Sequence, residues 1–495
     1  PVEPVTVGDV TYKPLADGRY DVIIMGTGLK ECILGAMLQH RGKKVFMLDR
    51  NQYYGGETAS LDLETLFKKF NGGSEPPKEF FDTLGRNASY NVDLVPKFLM
   101  ANGDLVKLLV QTDVKRYLEF KQVEGAYVFS QAAGKGFFSS GSPGIEKVPA
   151  TESEALSTPL LGMWQKRNLR NFLVYLSKVD PKGTRGEDGL PLDEVPMRAV
   201  YEKFSMDEGA QDFVGHAMAL EFNDDYMGRP ALPTVRAIRL YAESVDRFGV
   251  SPFIYPKWGL STLSEGFSRD CAVKGGTFML NRDVDEVLTD ESGRAIVVRA
   301  GEGDDAEVAL ADILIGDASY FPQDKAVATG RVVRTICILG SRPPCITGDS
   351  AQIIIPQKQI GRRHDVYVFI VSSAHEVAAK GKFVAIVSTT VETDDPTRET
   401  EAGLRLLGAD VIARYHNVCP TFEPTNDCKT DRCFITSSYD ASTHFESTMA
   451  DVMRMYRDIT GEDYDFDAPA TAADAAGAAA SGGAAGGGAA GGGAA

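Results

Sequence analysis

The chain has 495 residues, which is enough for two or three domains with a substantial buried core. Its apolar fraction of 43% and charged fraction of 24% are ordinary for a soluble globular protein. The formal net charge of −17 argues against nucleic-acid binding, which relies on clustered Lys and Arg, and against permanent attachment to an anionic membrane surface.

The first recognisable pattern lies between Tyr20 and Gly56, and we predict a loose leader over residues 1–19 before it. The stretch YDVIIMGTGLKECILGAMLQHRGKKVFMLDRNQYYGG predicts a strand, a helix and a second strand. DVIIM is typical of a parallel strand buried on both faces. After GTG, apolar residues recur at helical spacing: Leu29, Cys32, Ile33, Ala36 and Met37. The second strand, KVFML, ends at Asp49, where an acid would accept a ribose hydroxyl, so the whole pattern indicates a Rossmann-like fold.

Helical periodicity dominates the next region, from about Asn91 to Val250. One face of DLVKLLVQTDVKRYLEF and one face of NLRNFLVYLSKV are apolar, at Leu105, Leu108, Leu109, Leu169, Phe172, Leu173 and Leu176. An extended pair, YLEFKQVEGAYVFS, and a Gly/Ser loop at residues 133–144 interrupt this region.

Short β-rich runs return from Gly275 onward: GTFMLN, AIVVRA, ADILIGD, TICIL, AQIIIP, DVYVFIV and KFVAIVS. We therefore predict an α/β fold, with a Rossmann-like, FAD/NAD(P)-binding-type domain of several sheets and a helical second domain. The first domain takes residues 20–90, 115–150 and 251–467, and the second takes residues 91–114 and 151–250. Residues 468–495 are rich in Ala and Gly, offer little side-chain mass to bury, and are predicted to be disordered.

One residue breaks the coenzyme fingerprint. The glycine code reads Gly26, Gly28 and then Glu31, where a third glycine normally lets the helix pack close to the strand. A glutamate there either pushes the two elements apart or swings outward into the first helical turn, where the helix dipole favours a carboxylate. In that place it would occupy the position of a diphosphate. We expect no FAD or NAD cofactor; an atypical but working coenzyme site is the alternative.

The remaining chemistry-bearing residues form no recognisable catalytic or metal pattern. The six histidines show no HExxH or other ligand spacing, and neither GxSxG nor a P-loop is present. The seven cysteines are scattered and never form CxxC, so neither a disulfide framework nor a zinc site is expected. Because no signal peptide, long apolar span or CaaX box is evident, we expect a reduced, cytoplasmic protein.

Long segments resemble known families. GLSTLSEGFSRDCAVKGGTFMLNRDVDEV and ADILIGDASYF resemble the FAD-containing amine oxidase and phytoene desaturase superfamily. A closer resemblance, nearly collinear from Tyr20 to about Phe466, is to the Rab GDP dissociation inhibitors: GTGLKECIL, MLDRNQYYGGETAS, NVDLVPKFLMANGDLVKLLVQTDVKRYLEFKQVEGAYVF, KVPATESEAL, YAESVDRFGVSPFIYPKWGL, GGTFMLN and SYDASTHFES.

That resemblance implies a fold similar to flavin monooxygenases with no flavin in its function, and a carrier without catalysis. Such a carrier binds GDP-bound prenylated Rab GTPases, slows GDP release and withdraws Rabs from membranes through the cytosol in vesicle trafficking. The implied partners are the Rab protein, its geranylgeranyl lipid and, transiently, the membrane. We expect a monomer.

The resemblance also implies site residues by matched position. The Rab-binding platform maps onto Arg50, Tyr54, Thr262, Arg269, Thr277 and Met279, where Thr262 replaces a glutamate of the relatives. Tyr, Arg and Met suit such a surface because they offer large contact areas, and Arg can form bidentate hydrogen bonds with carboxylates. The mobile effector loop maps onto Arg247, Phe248, Gly249, Val250 and Ser251, where Val250 replaces the usual lysine. Val110 and Val114 match the groove for the Rab C-terminus.

A lipid carrier must replace the burial that a membrane gives to prenyl chains, at about 0.8 kcal/mol per methylene. We expect the helical domain to provide this burial. Plausible pocket walls are Leu160, Met163, Phe172 and Met218, because Leu and Met adapt to irregular apolar guests.

Two rival functions are open at this point. A Rab escort protein resembles the same family but presents new Rab for geranylgeranylation, and such chains generally carry an insertion that is not evident here. An FAD-dependent oxidoreductase, from a different functional class, would purify as a yellow protein.

Overall fold

The computed structural model describes residues 3–7, 9–130, 144–149, 163–180, 183–290, 295–301 and 303–468. Within these ranges the strands form two large sheets and two small ones, with helices packed between and beside them. This arrangement confirms the predicted α/β class with several sheets.

The first sheet has eight strands. Six of them lie in the spatial order Thr277–Met279, Val45–Leu48, Val10–Met25, Glu307–Asp317, Ala295–Ala300 and Glu286–Thr289. The other two pair beside this row: Val5–Val7 with Val10–Met25, and Cys433–Thr436 with Glu307–Asp317. The first four strands of that order run parallel, as does Cys433–Thr436. Val22 and Ile24 face one core and Ile23 and Met25 face another, so the strand is buried on both faces, as predicted.

The second sheet has seven strands. Their spatial order is Val411–Pro424, Ala326–Leu339, Phe383–Thr390, Val366–Ser372, Ala351–Ile355, Gly125–Phe129 and Ile145–Lys147. A three-stranded sheet contains Leu99–Met100, Phe253–Pro256 and Phe120–Gln122, and a two-stranded sheet contains Ser60–Leu61 and Val92–Asp93. The predicted extended pair therefore forms strands, but the two strands join different sheets.

The helices divide into those that support the sheets and those of the helical region. The supporting helices are Leu29–His40, Leu63–Phe70, Lys78–Leu84, Asp104–Gln111, Ser261–Val273, Pro396–Glu399, Glu401–Leu404, Cys428–Asp431 and Glu446–Thr460. The helical region contains Met163–Ser177, Met197–Lys203, Glu208–Asp212, the π-helix Phe213–Met218 and Ala231–Phe248. Single 3₁₀ turns lie at Gly56–Thr58, Asn87–Ser89, Val114–Tyr117, Asp224–Gly228, Gly303–Asp305, Ala318–Tyr320, Gln323–Lys325, Gln357–Ile360, Ser373–His375 and Arg405–Leu407.

The prediction of a loose leader is wrong for the described part of residues 1–19. The strand that was expected to begin near Tyr20 begins at Val10, and Leu15 is fully buried. The cause is a remote partner, because Lys13 and Pro14 pair with the start of Glu307–Asp317, about 300 residues later. At the other end, residues 469–495 lie outside the described residues.

Among the described residues no helix is long and apolar enough to cross a membrane. All seven cysteines are free in the structure.

Candidate functional site

A cavity of about 950 Å³ lies where the parallel strands of the first sheet end. Its lining includes Gly26, Gly28 and Glu31 from the fingerprint, together with Asp49 and Tyr320. Ligands of open α/β folds bind at this edge of the sheet. The cavity is therefore the place where a coenzyme of this fold would lie.

Glu31 occupies the part of the cavity that a diphosphate would need. Its carboxylate folds over Gly28, the residue that precedes helix Leu29–His40, so closely that a Cβ on Gly28 would lie 2.4 Å from Glu31 Oε2. The hydroxyl of Thr436 donates a 2.8 Å hydrogen bond to Glu31 Oε1. The side chain thus lies between Gly28 and the end of strand Cys433–Thr436, and the close helix–strand approach is made at Gly35, against Met47 and Ile24.

The surroundings of Glu31 perturb the pKa of its carboxyl group. We expected the helix dipole to favour its carboxylate, but burial, with a further contribution from Asp317, raises the pKa of Glu31 to about 7. Glu31 is only 5% exposed, so the loss of water is the main cause of the raised pKa. Burial therefore favours the protonated form of this carboxyl.

Asp49, the residue expected to accept a ribose hydroxyl, is already fully engaged. One carboxylate oxygen accepts from the backbone NH and hydroxyl of Thr27 at 2.7 and 2.6 Å, and the other accepts from the backbone NH and amide of Asn51 at 2.7 and 2.9 Å. Arg50 stacks on Tyr320 at 3.9 Å, and the Tyr320 ring lies against Gly26. The residues present therefore do not fit a dinucleotide: the diphosphate position holds a carboxyl and the ribose acceptor is used.

The predicted platform residues lie on three neighbouring elements at one edge of the first sheet. Arg50 and Tyr54 follow strand Val45–Leu48, and Thr277 and Met279 are on the edge strand that pairs with it. The backbone NH of Asp49 donates to the Met279 carbonyl at 2.9 Å, and the ring of Tyr54 meets that of Phe278 edge to face at 6.5 Å. The structure thus brings these four residues together.

The third element is helix Ser261–Val273, which directly precedes the edge strand. Thr262 and Arg269 are two turns apart on its outer side, and Thr262 donates to the Gly259 carbonyl at 2.7 Å. Arg269 is exposed, and its guanidinium lies 4.5 Å from the ring centre of Tyr117. Such a contact holds the guanidinium in place without neutralising it.

Two platform neighbours were not found from the sequence. Tyr117 is 43% exposed and reaches Arg269 only because the turn Val114–Tyr117 packs on the platform helix. Glu265 lies one turn after Thr262 on the same exposed side. Burial raises the pKa of Glu265. Burial also raises the pKa of Tyr54, with smaller contributions from Cys32 and Glu265. The side chains of Tyr54 and Glu265 are therefore near each other. Only the helical spacing of residues 262, 265 and 269 could have pointed to Glu265.

The segment predicted as a mobile effector loop is anchored at both ends. Arg247 donates to the Ala101 carbonyl at 2.7 Å, and the buried Ser251 donates to the Val123 carbonyl at 2.5 Å. Between them Gly249 has a φ of +74°, which ends helix Ala231–Phe248. Phe248 and Val250 project into solvent, 46% and 38% exposed. The mobility of this loop stays a prediction.

The structure separates the two predicted groove residues. Val110 is 47% exposed on helix Asp104–Gln111, whereas Val114 is fully buried. The cause is Gly266 of the platform helix, whose missing side chain lets Val114 pack against its backbone. Val114 therefore does not line an open surface, and Val110 stays a prediction.

The predicted lipid-pocket residues are only partly visible. Leu160 and the side chain of Met163 lie outside the described residues. Phe172 is fully buried against Tyr201 and Phe204, with ring centres 5.6 Å apart in both cases. Met218 is 7% exposed at the end of the π-helix. Both side chains are packed in the protein core, so their role as pocket walls stays a prediction.

One group of side chains has the geometry of a metal site, formed by Asp212, His216 and Asp224. The Lys358 ammonium lies 3.2 Å from Asp212 and 3.1 Å from Asp224 and so supplies an internal cation. His216 Nδ1 is 2.7 Å from the buried Asp365, and hydrogen bonds to Asp224 and Asp365 outweigh burial and raise the pKa of His216 to about 10. The cluster joins the π-helix to the second sheet as a charged structural contact.

Comparisons with known proteins agree with the family resemblance found in the sequence. The GDP dissociation inhibitor family model matches residues 16–471. A guanosine nucleotide diphosphate dissociation inhibitor from Arabidopsis thaliana is 46% identical over 93% of this chain and 99% of its own. A probable secretory pathway GDP dissociation inhibitor from Schizosaccharomyces pombe is 45% identical over 90% and 97%. The crystal structure of a Rab GDI from Plasmodium falciparum is 43% identical, with a TM-score of 0.83 over 90% of this chain and 99% of that one.

Proposed function

Because this chain belongs to the GDP dissociation inhibitor family, we propose that it binds prenylated Rab GTPases in their GDP-bound form, slows GDP release and carries the Rab through the cytosol. The relatives' names describe inhibitors of nucleotide dissociation, which is a regulatory and not a catalytic activity. One relative is named for the secretory pathway, which supports a role in vesicle trafficking.

The observation that carries this proposal is the exposed surface on helix Ser261–Val273 and the adjoining sheet edge. Arg269 is held over Tyr117 but has no ion-pair partner within the described part of the chain. Arg and Tyr dominate the energetics of protein interfaces because they combine large contact area with directed hydrogen bonds. Such a surface suits a loop of a GTPase whose conformation depends on the bound nucleotide.

Position 262 of this chain is a threonine where the relatives have a glutamate. Glu265, one turn later on the same helix, supplies the acidic contact instead. Its carboxylate is partly desolvated, and no cation among the described residues lowers its pKa. A cationic side chain of the partner would compensate for that desolvation. The affinity for Rab-GDP should therefore fall in the Glu265→Gln variant. The control is Glu79→Gln, which replaces an exposed glutamate of helix Lys78–Leu84.

The lipid belongs in the helical region. Two geranylgeranyl chains anchor a protein stably, so a carrier needs comparable apolar burial to compete with the membrane. Phe172 and Met218, both packed in the core, are the described residues that we assign to the walls of this pocket. Because the two side chains are packed, binding of the lipid requires a conformational change in this region.

The test is the release of fluorescent GDP from a prenylated Rab, followed by stopped-flow with and without the protein. Slower release from the GDP complex, together with transfer of the Rab from liposomes to the supernatant, supports the proposal. Unchanged release contradicts it. If the protein instead promotes prenylation of Rab by a geranylgeranyl transferase, it is an escort protein. If it releases flavin on denaturation, it is an oxidoreductase.

A further inference from the structure

Trp258 lies on the loop between strand Phe253–Pro256 and helix Ser261–Val273, and it is 45% exposed. Tryptophan is highly buried on average in folded proteins. Exposure alone decides little, because single apolar side chains are common at protein surfaces. The backbone of the same residue is unusual as well.

Trp258 has a left-handed backbone conformation, with a φ of +65°. This conformation is routine for glycine but unfavourable for a bulky residue, whose Cβ comes close to the following carbonyl oxygen. Hydrogen bonds on both sides fix it: the Trp258 NH donates to the His375 carbonyl at 3.0 Å, and the Leu260 NH donates to Asp93 at 2.9 Å. Strained residues of this kind cluster at active sites and ligand-binding sites. The chain thus holds an exposed tryptophan where glycine would fit the backbone better, which indicates a role in binding rather than in folding.

The loop that carries Trp258 adjoins the platform helix Ser261–Val273. Two residues separate Trp258 from the first residue of this helix. The hydroxyl of Thr262, a predicted platform residue, donates to the Gly259 carbonyl at 2.7 Å. The first turn of the helix is therefore tied to the loop, and Trp258 has a fixed place at the end of the platform.

The segment that follows Tyr117 lies on the other side of the same loop. The backbone NH of Lys257 donates to the Glu119 carbonyl at 2.8 Å. The side chains of Lys257 and Glu119 form an ion pair at 2.8 Å, and the Lys257 ammonium lies 5.7 Å from the ring centre of Trp258. Because these two charges pair with each other, the indole is the apolar group that the loop offers to a partner. Tyr117 in turn contacts Arg269, so Trp258, Tyr117 and Arg269 lie on adjoining segments.

The size of a protein interface indicates which partner would cover Trp258. A standard interface takes roughly 800 Å² of each partner, which corresponds to a patch about 30 Å across. The helical rise of about 1.5 Å per residue places Arg269 about 12 Å from Ser261, where the helix begins. A partner seated on the platform helix would therefore cover both ends of the helix, including the loop of Trp258.

We propose that Trp258 is an apolar anchor of the surface that binds the GTPase, and that its indole packs against an apolar side chain of the GDP-bound partner. The inference rests on the proposed function, which it extends by one contact residue. Tryptophan is among the residue types that contribute most to binding at protein interfaces, because it buries a large area with few rotatable bonds. Continuity with the platform favours the GTPase over a second copy of this chain.

The experiment labels the full chain with 5-fluorotryptophan and records its ¹⁹F NMR spectrum while unlabelled, unprenylated Rab-GDP is added. The chain contains two tryptophans, so two resonances are expected, and the variants Trp164→Phe and Trp258→Phe assign them. Trp164 is the matched control, because it is 76% exposed on helix Met163–Ser177, away from the platform helix in the sequence. We expect the resonance of Trp258 to shift on complex formation and that of Trp164 to keep its position.

Three results would overturn the proposal. An unchanged Trp258 resonance in a complex that gel filtration detects would place the indole outside the interface. Equal shifts of both resonances would report a change of the whole protein instead of a contact. A shift that depends on the concentration of the labelled chain without Rab-GDP would mean that a second copy covers Trp258.

Substitutions at position 258 separate binding from folding. Trp258→Gly should unfold at a higher urea concentration than Trp258→Ala, because glycine adopts the left-handed conformation without strain. Both variants should bind Rab-GDP at least about tenfold more weakly than the wild type, as expected of an interface anchor, and Trp258→Phe should retain most of the affinity. Wild-type affinity in the Trp258→Gly variant would contradict the proposal, since the indole would then make no contact.

Failure of the proposed function is distinguishable from failure of this inference. If Rab-GDP forms no complex with the wild-type protein, the proposed function is wrong and the inference falls with it. If the complex forms but neither the Trp258 resonance nor the affinity of its variants changes, only the inference is wrong.

Discussion

Replacing Glu31 by glutamine should stabilise the protein at alkaline pH and leave it unchanged at acid pH. The pKa of Glu31 is raised from 4.5 to about 7, so the folded state favours the protonated carboxyl. Its stabilising contribution is complete below about pH 4.5 and is lost as the pH rises through 7. Each pKa unit corresponds to about 1.4 kcal/mol, so ionised Glu31 costs about 3 kcal/mol above pH 8. Glutamine has nearly the same shape and does not ionise, so its burial does not become more unfavourable as the pH rises.

The assay is urea denaturation of the wild type and Glu31→Gln at pH 5 and pH 8, with Glu79→Gln as the control for loss of one charge. We expect the variant to exceed the wild type by about 2–3 kcal/mol in the free energy of unfolding at pH 8 and by less than about 1 kcal/mol at pH 5. A variant that is less stable at both values would show that the carboxylate is stabilised by the helix N-terminus. The reasoning about burial would then be refuted.

The other predictions concern the platform, the pocket and the charged cluster. Arg269→Glu combined with Tyr54→Ala should weaken binding of prenylated Rab-GDP by more than about 2 kcal/mol, measured by fluorescence titration, because both are hot-spot residue types; an unchanged affinity would contradict the platform assignment. Met218→Arg should impair extraction of prenylated Rab from liposomes more than binding of unprenylated Rab, whereas equal losses would mean general misfolding. His216→Asn should lower the free energy of unfolding by about 3–5 kcal/mol at pH 6, because it leaves Asp365 buried without its partner. Since the pKa of His216 is raised to about 10, its contribution is complete below pH 6.5 and declines as the pH rises towards 10, so wild type and variant should converge on alkaline titration.

The sequence predicted the elements whose signals are local. Strand Val45–Leu48, helix Leu29–His40 and the β-rich runs after Gly275 were confirmed, since periodicity and glycine spacing depend on neighbouring residues. The leader was misjudged because the start of Val10–Met25 is held by a strand that begins at Glu307, which no local pattern reveals.

The site was predicted in part for the same reason. That Glu31 stands in the diphosphate position follows from spacing, but its raised pKa depends on burial and on Asp317, 286 residues away. The Arg269–Tyr117 contact likewise joins residues from two parts of the chain. The platform residues were identified by matched motifs. The burial of Val114, by contrast, follows from its packing against Gly266, which no motif reveals.

The most direct test of the account is capture of the tagged protein from cytosol, followed by identification of the bound partner and of every nucleotide or coenzyme released on denaturation. The account predicts a small GTPase carrying GDP in near-equal amount and no flavin. A GTPase carrying GTP, or stoichiometric flavin without a GTPase, would contradict it.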